Sequence, residues 1–297
     1  MTNKESSKEK VLSLLEWNRG TFISGEQLAG QLQISRNSVW KAVRALRKEG
    51  YVITAVTNRG YCLTEENDRL SAQGIRSYLQ HDASHHALRE QSEISPADGS
   101  FPKVELCVYE ELPSTNMTAK ELAIQGAPHG TVVIAERQTA GAGRASGSFF
   151  SPEGGLYMSI ILRPEQLPAR RNAGPEEISA GAEKAAVETA RAIEAVCGVN
   201  PEIRGKGDLF LQNRKICGIL TESGGELETG ITHYLVLGIG IHFSTPADAF
   251  PEELRSTCGS IFPDASVAKN RPVHANRNHL AAEIIRRILL QTKKKES

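Results

Sequence analysis

One stretch of the chain combines the residue types that bind a small anionic ligand. Residues 138–152 read Q-T-A-G-A-G-R-A-S-G-S-F-F-S-P, and apolar runs at residues 131–135 and 156–162 flank them. Glycines between two buried strands let the backbone approach a ligand and point N–H groups at it. Arg144 is the only full charge in the stretch, and a guanidinium suits a carboxylate or phosphate. A flexible surface loop is the alternative, but the arginine and the two strands favour a ligand-binding loop.

The overall composition limits the class of protein. The 297 residues suffice for about two domains, and no apolar run approaches the roughly 20 residues of a membrane-spanning helix. The polar N-terminus lacks the apolar core of a signal peptide. The five cysteines are scattered without a C-x-x-C pair, which favours reduced thiols over a disulfide framework or a zinc site. We therefore expect a cytoplasmic protein without a membrane partner.

The zero net charge hides an uneven distribution of charge along the chain. Residues 1–65 carry ten Lys and Arg against six Asp and Glu, a net charge of +4. Residues 66–297 carry 25 against 29, a net charge of −4. This asymmetry predicts a polyanionic partner for the first segment only.

Residues 1–65 show the pattern of three helices followed by a β-hairpin. Ser24 and Ser35 precede the second and third helices in positions typical of N-caps. Two β-branched and aromatic runs at residues 51–56 and 61–63 flank a turn, which predicts the hairpin. This order resembles a winged helix-turn-helix, whose third helix enters the major groove of DNA.

The third predicted helix and the hairpin tip carry the basic residues of this domain. We predict that Arg36, Asn37 and Lys41 approach base edges and phosphates of operator DNA, and that Arg44 and Arg59 contact phosphates. The alternative is a winged helix that only docks another protein, with its charges on a solvated face. The basic helix, the basic hairpin tip and the net charge favour DNA.

Residues 66–103 are predicted to join two domains. Residues 71–79 can form one short helix, and residues 81–102 are polar and rich in Ser, Asp, Gly and Pro, which is typical of a linker or a disordered insertion. His81, His85 and His86 lie close together in sequence, but no spaced carboxylate or cysteine accompanies them. Solvated histidines are therefore favoured, and we predict no metal site.

Residues 104–297 alternate strand and helix patterns, which predicts an α+β domain with a mixed sheet. A helix after Ser114 and Thr115 is expected to carry Met117, Leu122 and Ile124, and the two polar residues can be helix caps only. Further helices are predicted at residues 176–196 and 278–290.

Four motifs occur in the order found in biotin protein ligases, and the chain resembles that family over nearly its whole length. They are S-T-N at residues 114–116, the loop at 138–152, R-K-I-C-G-I-L at 214–220 and G-I-G-I-H at 238–242. With a winged helix in front, the sequence is most similar to the two-function branch, the biotin operon repressor/ligase. The fold that this resemblance implies is an N-terminal winged helix-turn-helix followed by a mixed-sheet biotin-ligase-like domain.

The resemblance implies an activity, ligands and site residues. In the family, biotin and Mg-ATP give biotinyl-adenylate and pyrophosphate, and a lysine of the biotin carboxyl carrier protein then takes the biotinyl group. Such chemistry needs cations around the carboxylate and phosphates and a loop that excludes water. The implied ligand-binding residues are Ser114, Thr115, Gln138, Gly141, Gly143, Arg144, Lys215 and Gly218. The implied catalytic residues are Arg144, Lys215 and Asp208.

Several positions depart from the family pattern. The family loop is close to G-R-G-R-x-G-R, whereas residues 141–147 read G-A-G-R-A-S-G. The family's K-W-P-N-D reads R-G-K-G-D at residues 204–208, and only Asp208 is in register. Pro113 and His242 stand where the family has Asp and Asn. The family usually continues into a small β-barrel domain, and we expect none after Ser297.

The retained and the lost residues together give three hypotheses. The first is a biotin-responsive DNA-binding regulator with weakened or lost ligation, since each cation removed from a transition-state site slows the reaction by roughly 10²–10³. The second is a working ligase and repressor, and the third is a remnant that has lost both ligand and catalysis. Lipoate or another short acid remains open as the ligand. The family also implies a homodimer formed through sheet edges.

Overall fold

The computed structural model describes residues 6–64, 68–86, 104–144, 147–164, 175–225, 231–263, 271–272 and 274–291, with only the backbone described for 81–86, 175–179 and 291. The chain forms two compact units. Unit 1 comprises Met1–Gln91 and Val273–Ala282, and unit 2 comprises Ser92–Pro272 and Glu283–Ser297. Among the described helices, none has the length and apolar character needed to cross a bilayer.

The first elements of unit 1 are three helices and a β-hairpin, as the sequence predicts. They are α1 (Ser7–Trp17), α2 (Gly25–Leu32), α3 (Arg36–Lys48), β1 (Ile53–Val56) and β2 (Gly60–Leu63). Ser6, Ser24 and Ser35 each accept a backbone N–H at the start of a helix, which satisfies a donor that has no partner within the helix. The apolar faces of the helices meet in one core around Leu15, Leu28 and Leu46.

The turn of the hairpin depends on a glycine. Val56 pairs with Gly60 across the antiparallel strands, and Gly60 has a φ of 99°. A Cβ atom at this position would lie 2.0 Å from the carbonyl oxygen of Ile23. Only glycine fits both the left-handed backbone and this close approach, so the local sequence fixes where the hairpin tip lies.

Unit 1 also contains α4 (Ala72–His86), which continues beyond the predicted end at Leu79. The side chains of His81, His85 and His86 lie outside the described residues, as do residues 87–103 of the predicted linker. The predicted domain boundaries at residues 65 and 103 therefore stay predictions.

A buried polar cluster lies in the interior of unit 1. Glu16 and Arg19 form an ion pair at 2.5 Å with side-chain exposures of 0% and 1%. The Tyr78 hydroxyl donates to the Glu16 carbonyl at 3.2 Å and accepts from Asn276 Nδ2 at 2.8 Å. Asn278, at the start of helix α7 (Arg277–Gln291), donates to the Arg69 carbonyl at 2.9 Å. Residues from both ends of the chain thus contribute hydrogen bonds to this interior.

Unit 2 is built on a seven-stranded mixed sheet. The strands are β3 (Leu106–Leu112), β4 (Val132–Gln138), β5 (Gly155–Leu162), β6 (Glu202–Arg204), β7 (Asp208–Leu211), β8 (Arg214–Gly225) and β9 (Thr232–His242). Their order in the sheet is β3-β4-β5-β9-β8-β7-β6. Only β3 and β4 are parallel, and every other neighbouring pair is antiparallel.

Helices cover the sheet of unit 2. Helix α5 (Thr115–Ile124) packs on β4, β5 and β9, and α6 (Pro175–Cys197) packs on β6, β7 and β8. Two short 3-10 helices follow β9, at Ala247–Ala249 and Glu252–Leu254. The α+β class with a mixed sheet is therefore confirmed.

The predicted helix after Ser114 is present as α5, and small and polar residues form its buried face. Met117 and Ile124 are exposed, whereas Thr115, Asn116, Ala119 and Ala123 are buried. Small residues let the helix lie close to the sheet, where Ala119 and Ala123 pack on Val133, Ile161 and Val236. The helix thus presents Thr115, Asn116 and two alanines to the interior, and Leu122 packs partly buried against the same core.

Candidate ligand-binding site

A cleft in unit 2 encloses about 460 Å³, its open mouth included. The start of α5, the loop after β4 and the strands β7, β8 and β9 supply its lining. The predicted site residues that line it are Ser114, Thr115, Gln138, Gly143, Arg144, Asp208, Lys215 and Gly218. The structure therefore brings together all predicted ligand and catalytic residues except Gly141, while their roles stay predictions.

Gly141 has a structural position beside the cleft. A Cβ atom there would lie 2.4 Å from the Phe149 carbonyl oxygen and 2.6 Å from Ser151 Oγ. The backbone N–H of Phe149 donates to the Gly141 carbonyl at 2.8 Å, and that of Gly143 donates to the Gly147 carbonyl at 2.7 Å. These bonds close the loop on itself, and the glycine permits the close approach.

The polar end of the cleft is formed by the start of α5 and the end of β4. Gln138 Oε1 accepts the backbone N–H of Thr115 at 2.8 Å and its hydroxyl at 3.1 Å. Gln138 Nε2 donates to Ser151 Oγ at 2.8 Å. Ser114 occupies the N-cap position but makes no side-chain capping bond. Thr115 and Ser151 therefore hold the glutamine amide in one orientation.

Two further polar residues at this end, Ser159 and Glu222, were not predicted from the sequence, and Asn116 was identified only as part of the S-T-N motif. The Ser159 hydroxyl lies 2.8 Å from Thr115 Oγ1 and 2.6 Å from Asn116 Oδ1. Asn116 Nδ2 donates to Glu222 Oε2 at 2.8 Å. The available signals were a serine inside the apolar run at residues 156–162 and the asparagine of the S-T-N motif, whereas Glu222 lies in a polar part of β8.

The cationic end of the cleft has two basic groups around one carboxylate. Lys215 Nζ lies 3.0 Å from Asp208 Oδ1, and the Arg144 guanidinium pairs with the same oxygen. Asp208 begins β7 and Lys215 lies at the start of β8, so the antiparallel pairing of these strands brings them together. Two cations against one anion leave this end with an excess of one positive charge, which suits a monoanionic carboxylate.

The glycines of the eroded R-G-K-G-D motif are turn residues. Arg204 pairs with Asp208 across β6 and β7, and between them Gly205 and Gly207 have φ values of 59° and 121°. Such backbone angles favour glycine. The Arg204 guanidinium bonds Glu202 and Asn213 outside the cleft lining, so it adds no charge to the cationic end.

An aromatic ring lies on the floor of the cleft, between its polar and cationic ends. Gly218 of β8 and Gly240 of β9 are paired in register, and Cβ atoms there would lie 3.0 Å and 2.6 Å from the Phe149 ring. The ring stacks on His242 with centroids 4.9 Å apart, and Lys215 Nζ lies 5.9 Å from its centroid. The family resemblance implied that Gly218 binds the ligand, but not that an aromatic side chain would lie on it.

His242 is buried under this ring, which predicts a pH effect on stability. Its Nε2 donates to the Phe150 carbonyl at 2.8 Å, and burial lowers the pKa of His242 below its ordinary value. The folded state therefore holds a neutral imidazole, while the unfolded chain gains a proton as the pH falls through about 6.5. The contribution of the neutral His242 to stability is present above that pH and is lost as the pH falls below it.

We expect the variant His242→Asn to lose less stability than the wild type between about pH 7.5 and pH 5.5, by about 1 kcal/mol. Chemical denaturation at the two pH values measures this difference. The pKa of His129 is also lowered by burial. This residue remains in both proteins and contributes to the pH dependence of stability that the variant keeps. An identical loss of stability in the variant would contradict the assignment to His242.

The predicted DNA-binding residues lie on the surface of unit 1. Arg36, Asn37, Lys41 and Arg44 are all exposed on α3. The guanidinium of Arg59, at the hairpin tip, lies 4.2 Å from the centroid of the Phe22 ring. The structure thus places these five residues on α3 and the hairpin as predicted, and their contacts with DNA stay predictions.

Comparisons with known proteins agree with this architecture. Residues 108–242 match the Biotin/lipoate A/B protein ligase family, and residues 7–62 match a helix-turn-helix (HTH) domain family. The chain is 34% identical over 259 residues to the bifunctional ligase/repressor BirA of Bacillus spizizenii, which covers 87% of this chain and 71% of that protein. With BirA of Escherichia coli it shares 29% identity over 281 residues, covering 94% and 74%.

Solved structures show the same fold. A biotin protein ligase from Aquifex aeolicus in complex with biotin and ATP matches with a TM-score of 0.50 and 23% identity, over 65% of this chain and 73% of that one. The ligase from Leishmania major in complex with biotinyl-5-AMP matches with a TM-score of 0.50 and 20% identity, over 64% and 74%. The chain belongs to the biotin protein ligase family, and within it to the two-function branch that joins an N-terminal helix-turn-helix to a ligase domain.

Proposed function

We propose that the protein is a biotin-responsive, winged-helix DNA-binding transcriptional regulator in which ATP-dependent transfer of biotin to a carrier-protein lysine is weakened or lost. The observation that carries this proposal is the charge of the cleft. Among the described residues of the cleft lining, Arg144 and Lys215 are the cations, and both pair with Asp208.

The cleft has the parts needed to hold biotin. The ureido ring of biotin both donates and accepts hydrogen bonds, and it suits the hydroxyls and amide of Ser114, Thr115 and Gln138. The apolar tail suits the Phe149 ring, which covers Gly218 and Gly240 on the floor of the cleft. The carboxylate then meets Lys215 and Arg144, which form charge-assisted hydrogen bonds with it.

The same charge count disfavours the adenylation step. Formation of biotinyl-adenylate brings a carboxylate and a triphosphate together, and pyrophosphate leaves with several negative charges. Bound Mg²⁺ supplies part of the compensation, and the chain supplies an excess of one positive charge at the cationic end. Biotin and Mg-ATP are therefore the proposed ligands, with slow chemistry between them.

The second candidate function is an active biotin-[acetyl-CoA-carboxylase] ligase that forms biotinyl-adenylate and biotinylates the carrier protein. It is favoured by the convergence of Arg144, Asp208 and Lys215 in one cleft. Under either function we propose operator DNA as the partner of unit 1, a homodimer as the assembly and the cytoplasm as the location.

A single incubation separates the two candidates. The purified protein is mixed with biotin, Mg-ATP and a biotin-acceptor domain, and the acceptor is weighed by mass spectrometry, with BirA of Bacillus subtilis as the positive control. We expect little or no biotin-sized gain in mass, while biotin alone raises the melting temperature of the protein. Complete modification of the acceptor by a catalytic amount of the protein would establish the active ligase instead.

A further inference from the structure

Trp40 lies among the predicted DNA contacts on α3 with 49% of its surface exposed. No other aromatic side chain of residues 6–64 is exposed. A single exposed apolar residue needs no explanation by itself, but the position of Trp40 among basic side chains does. Trp40 lies one helical turn after Arg36 and one turn before Arg44, which places all three on neighbouring positions of one helix surface.

The core of unit 1 does not explain this tryptophan. Helix α3 buries Val39, Ala42, Val43 and Leu46 against the other elements. The Arg44 guanidinium lies 5.4 Å from the centroid of the Trp40 ring, a contact on the solvent side of the helix. The ring therefore presents an apolar surface and one indole N–H donor between basic side chains.

We propose that Trp40 reads the C5-methyl group of a thymine in the major groove. This inference rests on the proposed DNA binding of unit 1. Residues in the first turns of a recognition helix reach base edges, and thymine is the base that presents an apolar group there. Arg36, Lys41 and Arg44 surround the ring with positive charge, which fits a phosphate-lined groove and not an apolar protein partner.

The absence of a charge on Trp40 separates its role from that of its basic neighbours. Lys41 and Arg44 neutralise phosphates, so their loss reduces the salt dependence of binding. Trp40 carries no charge, and its loss leaves that dependence unchanged while removing discrimination at one base pair. The contact with Arg44 additionally holds that guanidinium over the ring.

The test uses the full-length protein and a duplex selected by it from random DNA. Each thymine of the duplex is replaced in turn by uracil, which lacks only the C5-methyl group. For the wild type we expect one thymine per half-site at which this change weakens binding about threefold to tenfold. Trp40→Ala should bind more weakly than the wild type and be insensitive to uracil at that thymine, whereas Trp40→Phe should remain sensitive.

Controls distinguish this inference from the proposed function. Val52→Ala removes another exposed apolar side chain of unit 1 and should behave as the wild type, and Lys41→Ala should lower the slope of log affinity against log salt by about 1. Selection of no duplex by the wild type would overturn DNA binding itself. If the wild type selects a duplex and Trp40→Ala keeps its uracil sensitivity at every thymine, only the role of Trp40 fails. Loss of self-association in Trp40→Ala with unchanged DNA affinity would assign the ring to a protein interface and also overturn the inference.

Discussion

Replacement of Lys215 by methionine is expected to weaken the binding of biotin about 100-fold. Lys215 Nζ lies 3.0 Å from Asp208 and its side chain is 29% exposed. The substitution keeps the length and apolar stem of the side chain but removes the charge. Only Arg144 then opposes Asp208, so the cationic end changes from one excess positive charge to none. Truncating one partner of a desolvated charge pair costs about 2–5 kcal/mol, and partial exposure places this site at the low end of that range.

Titration calorimetry with biotin measures this effect, and Lys120→Met provides a matched control. Lys120 is comparably exposed and also pairs with one carboxylate, at 2.8 Å from Glu222, but it does not line the cleft. We expect the control to bind biotin nearly as the wild type does. Equal affinity in wild type and Lys215→Met would show that the ligand carboxylate lies elsewhere.

The variant Glu16→Ala is expected to destabilise unit 1 by about 3–5 kcal/mol. Glu16 and Arg19 form their ion pair at 2.5 Å in the interior, and the substitution leaves the Arg19 guanidinium buried without its carboxylate. Tyr78, whose pKa is raised to about 12 mainly by burial, lies against the same pair. In the variant, the charge of Arg19 can become solvated only if the surrounding structure unfolds, so the folded state is destabilised.

Denaturant unfolding, monitored by a spectroscopic signal that reports on unit 1, measures this loss of stability. The variant Lys8→Ala is the control. Lys8 and Glu49 form a pair of similar length, 2.6 Å, but their side chains are 40% and 45% exposed. A solvent-exposed ion pair contributes about 0–1 kcal/mol, so the control should change stability little. Similar losses of stability in the two variants would mean that burial of the ion pair does not determine the free-energy cost of breaking it.

Local structure was predictable from the sequence because its determinants are close in the chain. The capping serines at positions 6, 24 and 35 act on residues three positions away. The hairpin tip follows from Gly60. In the same way, the residues of the polar end were identified as a motif, since Ser114, Thr115 and Asn116 are consecutive.

Contacts between distant elements were not predictable. The strand β9 lies between β5 and β8, and this order alone pairs Gly240 with Gly218 and creates the floor under Phe149. Met117 of α5 is exposed because small residues on the other face of the helix let that face lie close to the sheet. The periodicity of apolar residues in the sequence does not reveal this distance between helix and sheet. The inclusion of Val273–Ala282 in unit 1 likewise depends on tertiary hydrogen bonds such as that from Asn278 to Arg69.

We propose that a ligand in the cleft of unit 2 changes the affinity of unit 1 for DNA. The most direct test titrates a fluorescent duplex, selected by the protein from random DNA, in the presence and absence of biotinyl-5-adenylate. We predict an increase in affinity of about tenfold or more with the ligand, a coupling free energy of about 1.4 kcal/mol, and a smaller increase in Lys215→Met at the same ligand concentration. If the DNA titrations with and without the ligand superimpose, under conditions where calorimetry shows the ligand bound, this proposal is contradicted.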